Sequence, residues 1–141
     1  MSTAGAFALL GGFVIALGGV AASIFYSNMA NFLPCTLCWW QRIFLYPQVL
    51  ILGIAFMRRD ARAWIYSMAL SICGAAIALY HTYLQFGGSP LVPCGADAAA
   101  SQCAQRYFLE FGYVTIPTMA LTAFIVIIVL MVAHRMTHIT E

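Results

Sequence analysis

Four long apolar runs constrain this chain more than any other feature. Gly5–Tyr26 has no charged residue, Trp39–Met57 has only Arg42 near its start, Ala63–Gln85 has only His81 near its end, and Tyr113–Ala133 has none. A bilayer core of roughly 30 Å takes about 20 apolar residues as a helix. In hydrocarbon each backbone N–H and C=O must bond within its own segment, so each run is expected to be helical. The expectation is an all-α integral membrane four-helix bundle, one membrane domain over residues 1–141, with spans near 5–26, 39–57, 63–85 and 113–133. Composition closes the alternatives: 7% of residues are charged, against roughly 25% in soluble domains. Ten charges cannot coat a globule of this size, which excludes an ordinary soluble enzyme. They are also too few for a disordered tail. A net charge of +2 from scattered Arg gives no basic stripe for nucleic acid. The start Met1-Ser2-Thr3-Ala4 lacks a basic segment, and the apolar run after it is long, so the first run reads as a span rather than a cleaved signal peptide.

Orientation follows from Arg, which is enriched on the cytoplasmic side. Arg58, Arg59 and Arg62 crowd the second connection, and Arg135 joins them if there are four spans; Arg42 and Arg106 fall on the opposite side. Both termini are then expected in the cytoplasm, with extracytoplasmic loops near 27–38 and 86–112. Trp39, Trp40, Tyr107, Tyr113 and Trp64 lie near span ends, where amphipathic rings favour the interface.

Four of the five cysteines then face an oxidising compartment, where disulfides form. Cys35 and Cys38 make a Cys-Thr-Leu-Cys motif as the second span begins, and Cys94 and Cys103 lie in the long loop. Pro34 precedes the first pair, consistent with a helix start whose positive dipole end faces the sulfurs. Such a position commonly lowers a thiol pKa and populates the thiolate that exchange requires. Arg42, four residues after Cys38, shares its helix face. It is suited to stabilising the Cys38 thiolate or the anionic form of a reduced ligand. An inert staple, or half of a four-cysteine zinc site, are the plainer readings of the motif. The second pair is too widely spaced for a zinc ribbon, so no metal is expected. Cys94–Cys103 alone would read as a structural loop disulfide; near a Cys-x-x-Cys it can serve a relay, since exchange runs through mixed disulfides. Cys73, mid-span, reads as a small buried hydrophobe. His81 lies at the depth of Arg42 and reads either as an interfacial hydrogen-bonded His or as a site residue. His134 and His138 read as part of a solvated tail, and Gln85 and Glu110 as polar neighbours of the outer interface.

The run Pro34-Cys35-Thr36-Leu37-Cys38-Trp39-Trp40-Gln41-Arg42 resembles the signature of the DsbB/BdbC family of disulfide-forming membrane proteins. His81-Thr82-Tyr83-Leu84-Gln85 is similar to the family's segment at the end of the third span. Cys103-Ala104-Gln105-Arg106, continuing to Phe111-Gly112-Tyr113-Val114-Thr115-Ile116-Pro117-Thr118, is similar to its entry into the fourth. The short Cys94–Cys103 spacing is closer to the compact BdbC-type branch than to the longer-looped DsbB type. The resemblance implies a quinone-linked thiol oxidase of the bacterial cytoplasmic membrane, with its redox cysteines on the extracytoplasmic face. It would re-oxidise a thioredoxin-like extracytoplasmic partner of the DsbA/BdbD kind and pass electrons to menaquinone or ubiquinone. By the same resemblance, Cys94 would meet the partner, Cys103 would exchange with Cys35, and Cys38 would face the quinone. Arg42 and His81 would border its ring.

Energetics agree with a lipid-soluble sink. A strongly oxidising thioredoxin-like protein lies near about −120 mV, and each 30 mV of a two-electron couple is about 1.4 kcal/mol. A protein disulfide rarely sits far above that value, so forward flow needs a downstream acceptor. The chain has no Gly-x-Gly-x-x-Gly fingerprint and no Cys-x-x-Cys-His haem motif. A relay run in reverse, delivering reductant outward, would need an inner electron source where only Cys73 lies deep. A stapled scaffold would leave Arg42 beside the Cys-x-x-Cys unexplained.

Overall fold

Each apolar run forms one helix in the computed structural model, which describes residues 3–28, 35–60, 62–88 and 116–139. The helices are α1 (Thr3–Asn28), α2 (Thr36–Arg58), α3 (Trp64–Gln85) and α4 (Ile116–Ile139). All four are long and apolar enough to cross a membrane, and there is no strand among the described residues. The protein is an all-α four-helix membrane bundle.

The buried positions trace narrow seams. On α2 they are Gln41, Leu45, Gln48, Leu52 and Ala55, and on α3 Ser67, Ser71, Gly74, Ala78, His81 and Gln85. Steps of three and four residues keep one face turned inward. α1 contributes Gly5, Ala8, Gly12 and Ala16, small residues that let membrane helices approach closely where no hydrophobic effect drives them together. Gly74 on α3 is packed as closely: a Cβ there would run into the buried Phe124 ring. Large apolar side chains such as Phe7, Leu50, Leu79 and Val129 point outward, as a lipid-facing surface requires.

α1 packs on α2 and α4, and α3 packs on the same two helices. Contacts between helix ends fix an up-down-up-down course. Arg42 near the start of α2 bonds Ser23 near the end of α1; Cys35 ahead of α2 meets His81 near the end of α3; His134 near the end of α4 bonds Gly5 at the start of α1. The turn from α2 to α3 is short and closed by its own backbone. Arg59 takes a left-handed conformation (φ 53°), its N–H bonds Phe56 O and that of Asp60 bonds Ala55 O, a Schellman motif. Asp60 Oδ1 then accepts the Arg62 N–H at 2.8 Å.

Pro47 removes one backbone bond inside α2. In the same turn the buried Gln48 donates to Phe44 O at 3.2 Å and accepts from Ser67 and Ser71 Oγ at 3.3 and 3.2 Å. The two serine bonds tie α2 to α3 at mid-bundle, each worth about 0.6 kcal/mol in such settings.

Two expectations are corrected. His134 is fully buried rather than in a solvated tail, because its Nδ1–H finds the Gly5 carbonyl at 2.9 Å; the side chain of His138 lies outside the described residues. Cys73 is exposed on the outer face of α3 rather than buried, one position before the inward Gly74.

Candidate active site

One end of the bundle gathers the polar chemistry. Cys35 is the residue ahead of α2 (φ −69°, ψ 169°), and its carbonyl closes the first turn by accepting the Trp39 N–H at 3.1 Å. That turn brings Cys38 back over Cys35: the Cys35 thiol donates to Cys38 Sγ at 3.2 Å. From α3, His81 Nε2 lies 3.7 Å from Cys35 Sγ. Cys35 and His81 are buried, at 6% and 2% exposure, while Cys38 is half-buried.

Gln41 completes the arrangement from the buried seam of α2. Its Nε2 lies 3.1 Å from His81 Nδ1. With the amide N–H as donor, the imidazole proton sits on Nε2 and points at Cys35. With the amide turned over, Nδ1–H donates to Oε1, and Nε2 turns a lone pair toward the sulfurs. Either way Gln41 holds the ring in place, as Asn does for the base of some cysteine nucleophiles.

The Cys35 thiol is pushed up to about 12, foremost by the Cys38 sulfur that its proton bonds and next by burial, with His81 pulling the other way. For Cys35 the lowering expected of a helix N-terminus is therefore outweighed. The shared proton rests on Cys35, and Cys38 is the less buried of the two sulfurs.

Arg42 turns toward α1. Its guanidinium donates to Ser23 O at 3.0 Å and to Ser27 Oγ, and it lies 5.2 Å from the Trp39 ring centroid, within cation–π range. Trp39 and Trp40 stand exposed on the outer surface, so Arg42, Trp39 and Cys38 form a polar and aromatic strip at the bundle's edge.

The structure thus brings Cys35, Cys38 and His81 together and sets Arg42 one turn along α2. Cys94, Cys103 and Glu110 lie outside the described residues; Gln85 is buried at the same end. Gln41 was missed as a site residue. The available signal was its spacing: an amide on the seam three residues after Cys38 must find a partner inside the bundle. Ser23 and Ser27, the anchors of Arg42, carry no signal in sequence that tells them from other helix-end serines.

The family model described as Disulfide bond formation protein DsbB matches residues 5–134. The chain belongs to the DsbB family. It is 42% identical over 126 residues to Disulfide bond formation protein C of Bacillus subtilis (strain 168), covering 87% of this chain and 88% of that protein. It is 39% identical over 125 residues to Probable disulfide formation protein C of Halalkalibacterium halodurans, covering 86% and 88%. It is also 37% identical over 124 residues to Probable disulfide formation protein of Metapseudomonas resinovorans, covering 86% and 85%. No solved structure matches the chain. The family accords with a dithiol motif at the mouth of a four-helix membrane bundle.

Proposed function

We propose that this DsbB-family chain is a membrane thiol oxidase that makes disulfides for exported proteins. It re-oxidises a thioredoxin-like extracytoplasmic partner by disulfide exchange and delivers the electrons to a membrane quinone. The observation that carries the reading is the meeting of Cys35, Cys38 and His81 at one end of four spans. In this reading both termini are cytoplasmic, the site faces outward from a bacterial cytoplasmic membrane, and Arg58, Arg59, Arg62 and Arg135 mark the inner side.

The chemistry is thiol–disulfide exchange in two stages. Cys94 forms the mixed disulfide with the partner, and release of the oxidised partner leaves Cys94 and Cys103 as thiols. The Cys103 thiolate then attacks Cys35 of the Cys35–Cys38 disulfide, forming a Cys103–Cys35 bond and expelling Cys38 as thiolate. Attack by Cys94 on Cys103 restores the loop disulfide and expels Cys35, which takes a proton. Cys35 holds a proton strongly, so it leaves best when one is delivered, and His81 Nε2–H at 3.7 Å is the nearest donor on α3. Gln41 keeps that donor aimed. Re-oxidation of Cys35 and Cys38 yields one disulfide, two electrons and two protons.

A quinone fits the residues present. A guanidinium stacked on Trp39 and a half-buried thiol one turn away suit a flat apolar ring with carbonyl acceptors, arriving from the bilayer past exposed Trp39 and Trp40. Arg42 and Cys38 would hold it, with His81 nearby, and it would supply a two-electron, two-proton acceptor. The test combines purified protein, a reduced thioredoxin-like partner and a soluble quinone analogue. Catalytic quinone reduction is expected and should vanish in Cys38→Ser. No reduction, or reduction undiminished in that variant, would overturn the proposal.

A further inference from the structure

We propose that Cys35, Cys38 and His81 in the reduced chain form a three-ligand site for one soft divalent cation, Zn²⁺ or Cd²⁺. The three donor atoms all lie within 4.8 Å of one another. Tetrahedral coordination with metal–sulfur bonds of about 2.3 Å and metal–nitrogen bonds of about 2.0–2.1 Å places ligand atoms about 3.6–3.8 Å apart. The Cys35 Sγ to His81 Nε2 distance, 3.7 Å, already matches. The two sulfurs, at 3.2 Å, need to part by about half an ångström, and Cys38 Sγ, within 4.8 Å of the His81 ring nitrogen, closes on it by rotation of the half-buried Cys38 side chain.

The surroundings have the form of an outer coordination shell. A ligating His commonly donates its other ring N–H to a fixed acceptor, which sets the tautomer and makes the ligating nitrogen more basic. The buried Gln41 amide, 3.1 Å from Nδ1, does this once its oxygen faces the ring. Charge balances as well: one divalent cation, two thiolates and a neutral imidazole sum to zero, the cheapest arrangement for a buried site. Three protein ligands leave the fourth position open, as in sites that exchange their fourth ligand.

Binding moves no electrons. The cation replaces the Cys35 and Cys38 thiol protons, releasing two protons and forming two metal–sulfur bonds. A Cys35–Cys38 disulfide has no thiolate to give, so only the reduced state binds, and the bound ion holds the pair reduced. The site differs from a four-cysteine zinc ribbon, since its third ligand is His81 rather than a loop cysteine. It stands apart from the quinone reading, for it needs neither acceptor nor partner.

The test titrates Cd²⁺ alone into full-length protein in detergent, reduced and desalted without oxygen, following the ultraviolet cadmium–thiolate band. One equivalent per chain is expected, with no band in the oxidised chain and an unchanged band in the Cys94→Ser/Cys103→Ser and Cys73→Ala variants. His81→Ala should weaken binding by more than the roughly 10- to 100-fold that follows loss of an outer-shell partner. Because His81→Ala also removes a buried side chain between α2 and α3, the ¹¹³Cd resonance of the reduced wild-type protein gives a second reading, expected upfield of a four-thiolate site. Absence of a band, its loss in the loop double variant, equal binding by the oxidised chain, or a four-thiolate resonance would each overturn the proposal.

Discussion

The two ends of the bundle are built from the same parts and put them to different uses. Each buries a histidine, His81 at 2% exposure and His134 at 0%. Each sets an arginine over a tryptophan, Arg42 on Trp39 at 5.2 Å and Arg135 on Trp64 at 5.0 Å. At one end the histidine faces a thiol and an amide; at the other it bonds a backbone carbonyl. Burial of an ionisable residue in a membrane helix does not by itself mark chemistry. What it meets decides: a sulfur can change oxidation state, and a helix carbonyl can only be held.

The two ends differ most at the sulfurs. Cys35→Ser should abolish disulfide formation, with partner oxidation falling to background, whereas Cys73→Ala on the outer face should leave it intact; gel-shift assay of the partner thiols reads both. The paired histidine variants come next. His81→Ala should slow exchange at Cys35 by about 10²- to 10⁴-fold, the usual range for a lost proton-transfer group, measured by stopped-flow with reduced partner. His134→Ala should leave exchange per folded molecule unchanged and lower stability by about 1–3 kcal/mol through the lost buried hydrogen bond, read from the detergent-resistant thermal midpoint. Equal effects of the two variants on exchange would erase the distinction between the ends.

A third test leaves both ends alone. Gly74→Ala drives a methyl into the Phe124 ring and should cost about 1–3 kcal/mol by overpacking, with exchange per folded molecule retained. The smallest effect sharpens the pair itself. Maleimide should label Cys38 before Cys35 in the reduced protein, because Cys35 is more buried and keeps its proton; peptide mapping of partial labelling reads the order.

Much of this was legible in the sequence. Runs without charge have one solution in hydrocarbon, so the four helices follow from composition and length. The Cys-x-x-Cys, with Arg42 and His81 at matching depth, stood out as a candidate site because polar residues are scarce in such a chain. Partner choice was not legible. The sequence put His81 and His134 at opposite ends, but what each bonds depends on packing: His81 meets sulfur because of how α2 and α3 align across their interface, and His134 meets Gly5 through the packing of α4 on α1. The same holds for Arg42: its face on α2 was readable, but its bond to Ser23 belongs to the packing of α1. Cys73 and Gly74 differ by one position, so a small rotation of α3 decides which faces inward.

In the proposed function, Cys35 and Cys38 form the redox-active pair that a quinone oxidises. Non-reducing peptide mapping of the purified, fully reduced protein, with and without a soluble quinone analogue, reads the state of that pair. A Cys35–Cys38 disulfide should appear with quinone and be absent without it, in wild type and in Cys94→Ser alike. Cys35 and Cys38 remaining as free thiols in the presence of quinone would contradict it.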